Sequence, residues 1–146
     1  MPHAHFRNGS DRWATPVWLF EALDREFGFT LDVCAEPETA KCKRFFGPEE
    51  NGLLKNWGSE ICWMNPPYSA TAKWMAKAHN AANEGATVVC LVPSKTDAIW
   101  FHRYALKHEC RFVKGRLRFG GPDADKAPFA SLVVVMRPDS FRLCSL

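Results

Sequence analysis

The chain has 146 residues, 47% of them apolar and 13% aromatic, with a formal net charge of +3. That is enough for one domain with a buried core, too short for two, and too aromatic for a disordered chain. The mildly basic balance permits nucleic-acid binding without demanding it, because committed DNA binders are usually more basic.

In chain order, residues 1–12 read as a flexible N-terminal arm, in which His3 and His5 form no more than an adventitious metal pair. Thr15 and Pro16 then suit the N-cap and first position of a helix whose apolar residues, Leu19 or Phe20, Leu23 and Phe27, recur at helical spacing until Gly28. Thr30 to Val33 predicts a short strand, and Phe45-Phe46 another inside the polar stretch Glu36 to Asn56. Ile61 to Met64 predicts a strand stopped by Asn65-Pro66-Pro67, since two prolines donate nothing to a ladder. Thr71 to Asn83 predicts a helix with Trp74, Ala78 and Ala81/Ala82 on one face.

Thr87 to Val92 is an apolar run of the kind that forms a central parallel strand. Asp97 to Leu106 reads as a helix, Arg111 to Val113 and Leu117 to Phe119 as short strands, and Ser131 to Met136 as a second buried strand. A domain over 13–137 follows, with a tail at 138–146. The alternation of strands and helices predicts a mainly parallel α/β sheet with helices on both faces, which binds ligands at the carboxyl ends of its strands.

The six cysteines, Cys34, Cys42, Cys62, Cys90, Cys110 and Cys144, contain no CxxC pair and no matching His spacing, so no metal site is expected. Neither a secretory signal nor a run of membrane-spanning length is visible, which gives the expectation of a reduced, cytoplasmic protein without membrane contact.

Asn65-Pro66-Pro67-Tyr68 is the sharpest feature, because it sits where a buried strand ends and a loop begins. The exocyclic nitrogen of adenine or cytosine is conjugated with its ring and is a poor nucleophile. A site that engages its N–H groups with acceptors lets the nitrogen move toward tetrahedral geometry as it attacks. The side-chain carbonyl of Asn65 and the backbone carbonyl of Pro66 are two such acceptors, and Pro66 and Pro67 stiffen the loop that presents them. Tyr68 offers a flat face for a base that has left its helix. Adenine and cytosine amines are served equally by this chemistry, and so is the planar amide of a glutamine side chain.

Several stretches occur together in order: Trp13-Ala14-Thr15-Pro16, Leu31-Asp32-Val33-Cys34-Ala35, Gly52-Leu53 with Trp57, and Trp63 through Ser69. Trp74 follows, then Leu91 through Thr96 with Trp100-Phe101, Gly115 through Phe119, and Ala127 through Ser131. This ordered set resembles the phage-type DNA N6-adenine methyltransferases, a Dam-like, small-domain family of the Rossmann-like class. The resemblance implies S-adenosylmethionine as methyl donor, S-adenosylhomocysteine as product and DNA as partner. It also implies a phage or prophage origin and a role in restriction-modification or regulation inside a bacterial host.

By that resemblance Asn65, Pro66, Pro67 and Tyr68 are catalytic. The cofactor would meet Trp13, Thr15, Pro16, Asp32, Ala35 and Asn65, with Glu49 or Glu50 as the ribose carboxylate. Ser69, Ser94, Lys95, Arg116 and Arg118 are the DNA-contact candidates. The loop after the first strand has no glycine, unlike many nucleotide-binding folds. Three rival readings stand beside this one: an N4-cytosine DNA methyltransferase, a glutamine-amide protein methyltransferase, and a catalytically silent nucleic-acid-binding domain. With so short a chain, sequence readout would fall to loops near Glu36–Asn56 and Gly115–Phe129 or to a second subunit, and a homodimer is one option.

Overall fold

Five strands pair into one sheet in the computed structural model, which describes residues 13–138. The expected arm at 1–12, and all but the first residue of the expected tail at 138–146, lie outside the described residues. The strands are β1 (Leu31–Asp32), β2 (Ile61–Met64), β3 (Thr87–Pro93), β4 (Glu109–Phe112) and β5 (Ser131–Met136). Their order across the sheet is β1-β2-β3-β5-β4.

The sheet is mixed. β1, β2 and β3 run parallel, with Leu31 opposite Cys62 and Met64 opposite Cys90. β5 runs against both of its neighbours, with Cys90 and Cys110 each opposite Val134. The parallel character therefore belongs to the β1–β2–β3 half. In the other half, β4 returns to β5 through a loop, a connection that antiparallel pairing allows without a crossover helix.

Among the described residues three α-helices cover the sheet: α1 (Val17–Phe27), α2 (Thr71–Asn83) and α3 (Ile99–Arg103). Side chains alternate across a pleated strand, so consecutive residues feed opposite cores. Met64, Cys90, Val92 and Val134 pack with Trp74, Met75 and Ala78 of α2 and with Trp100 and Phe101 of α3. Trp63, Leu91 and Val133 pack on the other face with Leu19, Phe20 and Leu23 of α1. An α/β domain with helices on both faces is thus what the apolar pattern builds.

Local departures have local causes. Thr15 does not cap α1. Pro16, with φ −56° and ψ 135°, is the N-cap, and its carbonyl accepts from the amides of Leu19 and Phe20 at 3.2 Å each. The expected helix over Asp97–Leu106 is shorter, because Ala98 is extended (φ −72°, ψ 146°) and the helical bonding after Arg103 gives way to a single 3-10 turn, Ala105–Lys107. Leu117 to Phe119 is no strand, since its one ladder pairing is Arg118 with Lys126. Phe45 does pair in parallel with Asp32, which widens the sheet at the edge of the two-residue β1.

Candidate active site

β2 delivers Asn65 to the carboxyl end of the parallel half of the sheet and stops there, because Pro66 and Pro67 have no N–H to continue the ladder. The chain then tightens into a 3-10 turn at Tyr68–Ala70. The Ala70 amide donates to the Pro67 carbonyl, and the Thr71 hydroxyl to the Tyr68 carbonyl, both at 2.9 Å. The turn therefore leads directly into α2.

The carboxamide of Asn65 is held at both ends. Its Nδ2 donates to the Trp13 carbonyl and, at 3.0 Å, to the Thr15 hydroxyl. Its Oδ1 accepts from the Tyr68 hydroxyl at 3.0 Å. The segment that precedes α1 thus closes over the end of β2, and Lys41 Nζ donates to the Thr15 carbonyl at 3.5 Å from a third direction.

Tyr68 belongs to an aromatic box. Its ring lies 6.4 Å from that of Trp13, with 17° between their planes. Phe129 stands edge-on to both, at 5.5 Å from Tyr68 and 5.3 Å from Trp13, and Phe119 closes the group at 5.5 Å from Trp13. Such edge-to-face contacts fix the rings against one another.

Beyond Pro67 lies a cleft of about 230 Å³. Val33 to Ala35 of the loop after β1 form one wall, Phe46 to Pro48 and Asn51 to Leu53 another, and Pro67 and Trp74 complete it. Gly52 is pressed so close to the Val33 carbonyl that a Cβ would come within 2.1 Å of it. The Gly52 carbonyl is held by the Trp57 indole N–H at 2.9 Å. Asn65–Tyr68 therefore separates an aromatic box from an apolar cleft.

Asp32 organises this cleft without opening into solvent. Only 2% of it is exposed. Its Oδ1 accepts from the Cys34 amide at 3.2 Å and its Oδ2 from the Lys41 amide at 3.0 Å. Burial pushes its carboxyl up to about 6, and the two backbone amides offset only part of that shift.

The other expected site residues fall into groups. Ala35 lines the cleft, whereas Glu49 and Glu50 are exposed on the turn beside it, with Glu50 accepting from the Gly47 amide at 2.7 Å. Asn51, which the sequence did not single out, is the polar side chain of the lining and accepts from the Leu53 amide at 3.2 Å. Pro16 is buried beneath α1, and Ser69 is exposed beside Tyr68.

Ser94, at the end of β3, is half-buried and its amide donates to the Ala130 carbonyl at 2.8 Å, while Lys95 is exposed. Arg116 and Arg118 are exposed and donate to the carbonyls of Ala127 and Ala124 at 3.3 and 2.7 Å. They brace the loop that carries Phe119 and Phe129. Phe119 and Phe129 lie in two of the stretches that carry the family resemblance, but the sequence attaches no site role to either. Among the described residues no cluster of His, Cys, Asp and Glu could hold a metal ion, and no helix is long and apolar enough to cross a membrane.

Residues 4–142 match the family model described as DNA N-6-adenine-methyltransferase (Dam). A DNA N-6-adenine-methyltransferase of Haemophilus phage HP1 is 37% identical over 98 residues, which is 65% of this chain and 57% of that protein. One from Escherichia phage T1 is 31% identical over 93 residues, or 62% of this chain and 39% of that protein. A putative methyltransferase of Escherichia coli K12, YfdM, is 30% identical over 74 residues, covering 46% of this chain and 81% of that protein. The chain thus spans well under two thirds of the two phage enzymes.

Proposed function

From the premise that the chain belongs to the DNA N-6-adenine-methyltransferase (Dam) family, we propose that it transfers a methyl group from S-adenosylmethionine to the exocyclic N6 of adenine in DNA. The observation that carries this reading is the position of Asn65–Tyr68 between a box of aromatic rings and an apolar cleft at the end of β1. The topology suits a Rossmann-like methyltransferase core in which the parallel strands β1 and β2 deliver both halves of the site.

The residues present fit the donor. The cleft lies just below the usual small-ligand range of about 300–1,000 Å³, so it would hold the nucleoside while the remainder reaches past Pro67 toward Asn65. Ala35, Phe46, Leu53, Pro67 and Trp74 offer apolar surface, and Asn51 adds a polar side chain. Asp32 would act on this site through the Cys34 and Lys41 amides that it holds. When bound, the donor supplies a methyl group already activated on a sulfonium.

The chain's own task is alignment. Asn65 Oδ1 has two lone pairs, so it can accept from a substrate N–H while Tyr68 still donates to it. The Pro66 carbonyl would accept the other amine hydrogen. Tyr68 and Trp13 would stack on the extruded base, which offsets part of the unpairing cost. Lys95, Arg116 and Arg118 would contact phosphates, positioning the duplex without reading it.

Unmethylated DNA incubated with the protein and methyl-labelled donor, then digested to nucleosides for mass spectrometry, tests the reading. Labelled N6-methyladenine is expected, and Asn65→Ala should abolish it while leaving donor binding intact. Labelled N4-methylcytosine would move the activity to the other amine. No label in any nucleoside would overturn a DNA substrate.

A further inference from the structure

Thr15 stands where local sequence predicts a helix cap, yet α1 is capped by Pro16 with no side-chain bond, and the Thr15 hydroxyl points to Asn65 instead. We propose that Thr15 is a positioning residue which, together with the Trp13 carbonyl, locks the Asn65 carboxamide so that only its oxygen faces the reacting amine. The inference rests on the amine-transfer reading of the site and adds a group that acts through Asn65.

A carboxamide has two N–H donors at one end and an acceptor oxygen at the other, in nearly the same shape. Rotating it by half a turn would turn N–H groups toward an amine that also presents N–H groups, and transfer would lose its acceptor. Two partners prevent that rotation. A backbone carbonyl can only accept, so Trp13 tolerates the nitrogen end and repels the oxygen end. Thr15 takes the second Nδ2 hydrogen at 3.0 Å, so both are spent away from the substrate.

Thr15 is itself only 5% exposed, so water is poorly placed to replace its hydroxyl. Its carbonyl is tied to Lys41 Nζ, and the Lys41 amide donates to Asp32. The lock is therefore anchored to the end of β1.

The full chain carrying Thr15→Val or Thr15→Ser tests this, with melting temperature, donor binding and turnover on an adenine-containing duplex measured together. Thr15→Val, nearly isosteric but without a hydroxyl, should lower kcat about 10- to 100-fold, as expected for a misaligned reacting group. KM for DNA should hold. Thr15→Ser, which restores the oxygen, should recover most of the turnover. A Ser variant as slow as the Val variant at equal melting temperature would show that the hydroxyl does not restore alignment and overturn the proposal, as would an unimpaired Val variant.

The orientation is also read without turnover, from the Asn65 side-chain NH2 in 15N-edited spectra. Its hydrogens should exchange slowly in the wild type and faster in Thr15→Val. Fast exchange in both would overturn the lock. Slow exchange in a wild type that methylates no adenine would leave the lock in place and defeat the functional reading alone.

Discussion

The Tyr68 hydroxyl donates to the Asn65 side-chain oxygen at 3.0 Å, so the acceptor needed for amine transfer is already oriented and hydrogen-bonded before a base arrives. Burial pushes the Tyr68 phenol far above its usual value, which keeps it a neutral donor at any working pH. Two functions of the tyrosine can then be separated. Tyr68→Phe removes the hydroxyl and keeps the face, so most turnover should survive. Tyr68→Ala removes the face as well, and loss of stacking worth about 1–3 kcal/mol predicts a fall of roughly 5- to 150-fold. Single-turnover rates on a duplex oligonucleotide measure both, and an equal loss in the two variants would assign the role to the hydroxyl.

Strand β2 and the Asn65–Tyr68 turn are legible in sequence because two consecutive prolines can only end a ladder. The faces of α2 are legible because Trp74, Ala78 and Ala82 repeat at helical spacing. Strand direction is not. Ser131–Met136 is buried along its whole length, and such a run reads the same whether it lies parallel or antiparallel. Thr15 is illegible for another reason: it has the side chain of an N-cap, but its partner lies 50 residues away and local propensity says nothing about it. The cleft draws on segments at 33–35, 46–48, 51–53, 67 and 74, and no spacing rule connects them. Phe119 and Phe129 converge only because the loop between them folds back, with Arg118 opposite Lys126.

Asp32 predicts a particular pH dependence. Its carboxyl is raised from 3.8 to about 6 in the folded chain, chiefly by burial. Below about pH 4 it is protonated in both folded and unfolded chains and costs nothing. As pH rises through about 6 the folded chain must hold a buried charge, and stability is lost, by at most about 3 kcal/mol. Glu26, Glu60 and Glu109 are lowered and act in the opposite sense, contributing stability that is lost as pH falls. They are common to the wild type and Asp32→Asn, so the difference between the two urea-unfolding curves isolates Asp32. That difference should move against the wild type between pH 4 and 7. A flat difference would mean that the loop amides fully compensate the charge.

Gly52 should be the least replaceable glycine of the cleft. A Cβ there would meet the Val33 carbonyl at 2.1 Å and the Trp74 ring at 3.2 Å, and the first contact is with backbone that cannot rotate away. Gly52→Ala is expected to cost about 3 kcal/mol or more of stability, the upper end for overpacking, and to weaken binding of S-adenosylhomocysteine. Gly58→Ala is the control. Gly58 has φ +56° and nothing within 4 Å of a built Cβ, so only backbone strain of about 1–2 kcal/mol applies. Denaturant unfolding and calorimetric titration of both variants give the comparison. Equal losses would show that the loop after β1 yields at little cost.

Arg118 tests whether the loop carrying the aromatic box is also a DNA surface. One guanidinium nitrogen donates to the Ala124 carbonyl at 2.7 Å, and a guanidinium has five N–H donors, so bracing the loop does not exhaust it. If Arg118 neutralises one phosphate, Arg118→Ala should reduce the slope of log affinity against log salt by about 0.9, equally on target and random duplex. Adding Arg116→Ala should roughly double the change. Arg118→Lys keeps a point charge but not the planar fork, so it should keep most of the slope while loosening the Ala124 contact. Fluorescence anisotropy across a salt series separates the cases. A slope that stays fixed while turnover falls would mean that the arginine serves Phe119 and Phe129 through the loop and meets no phosphate.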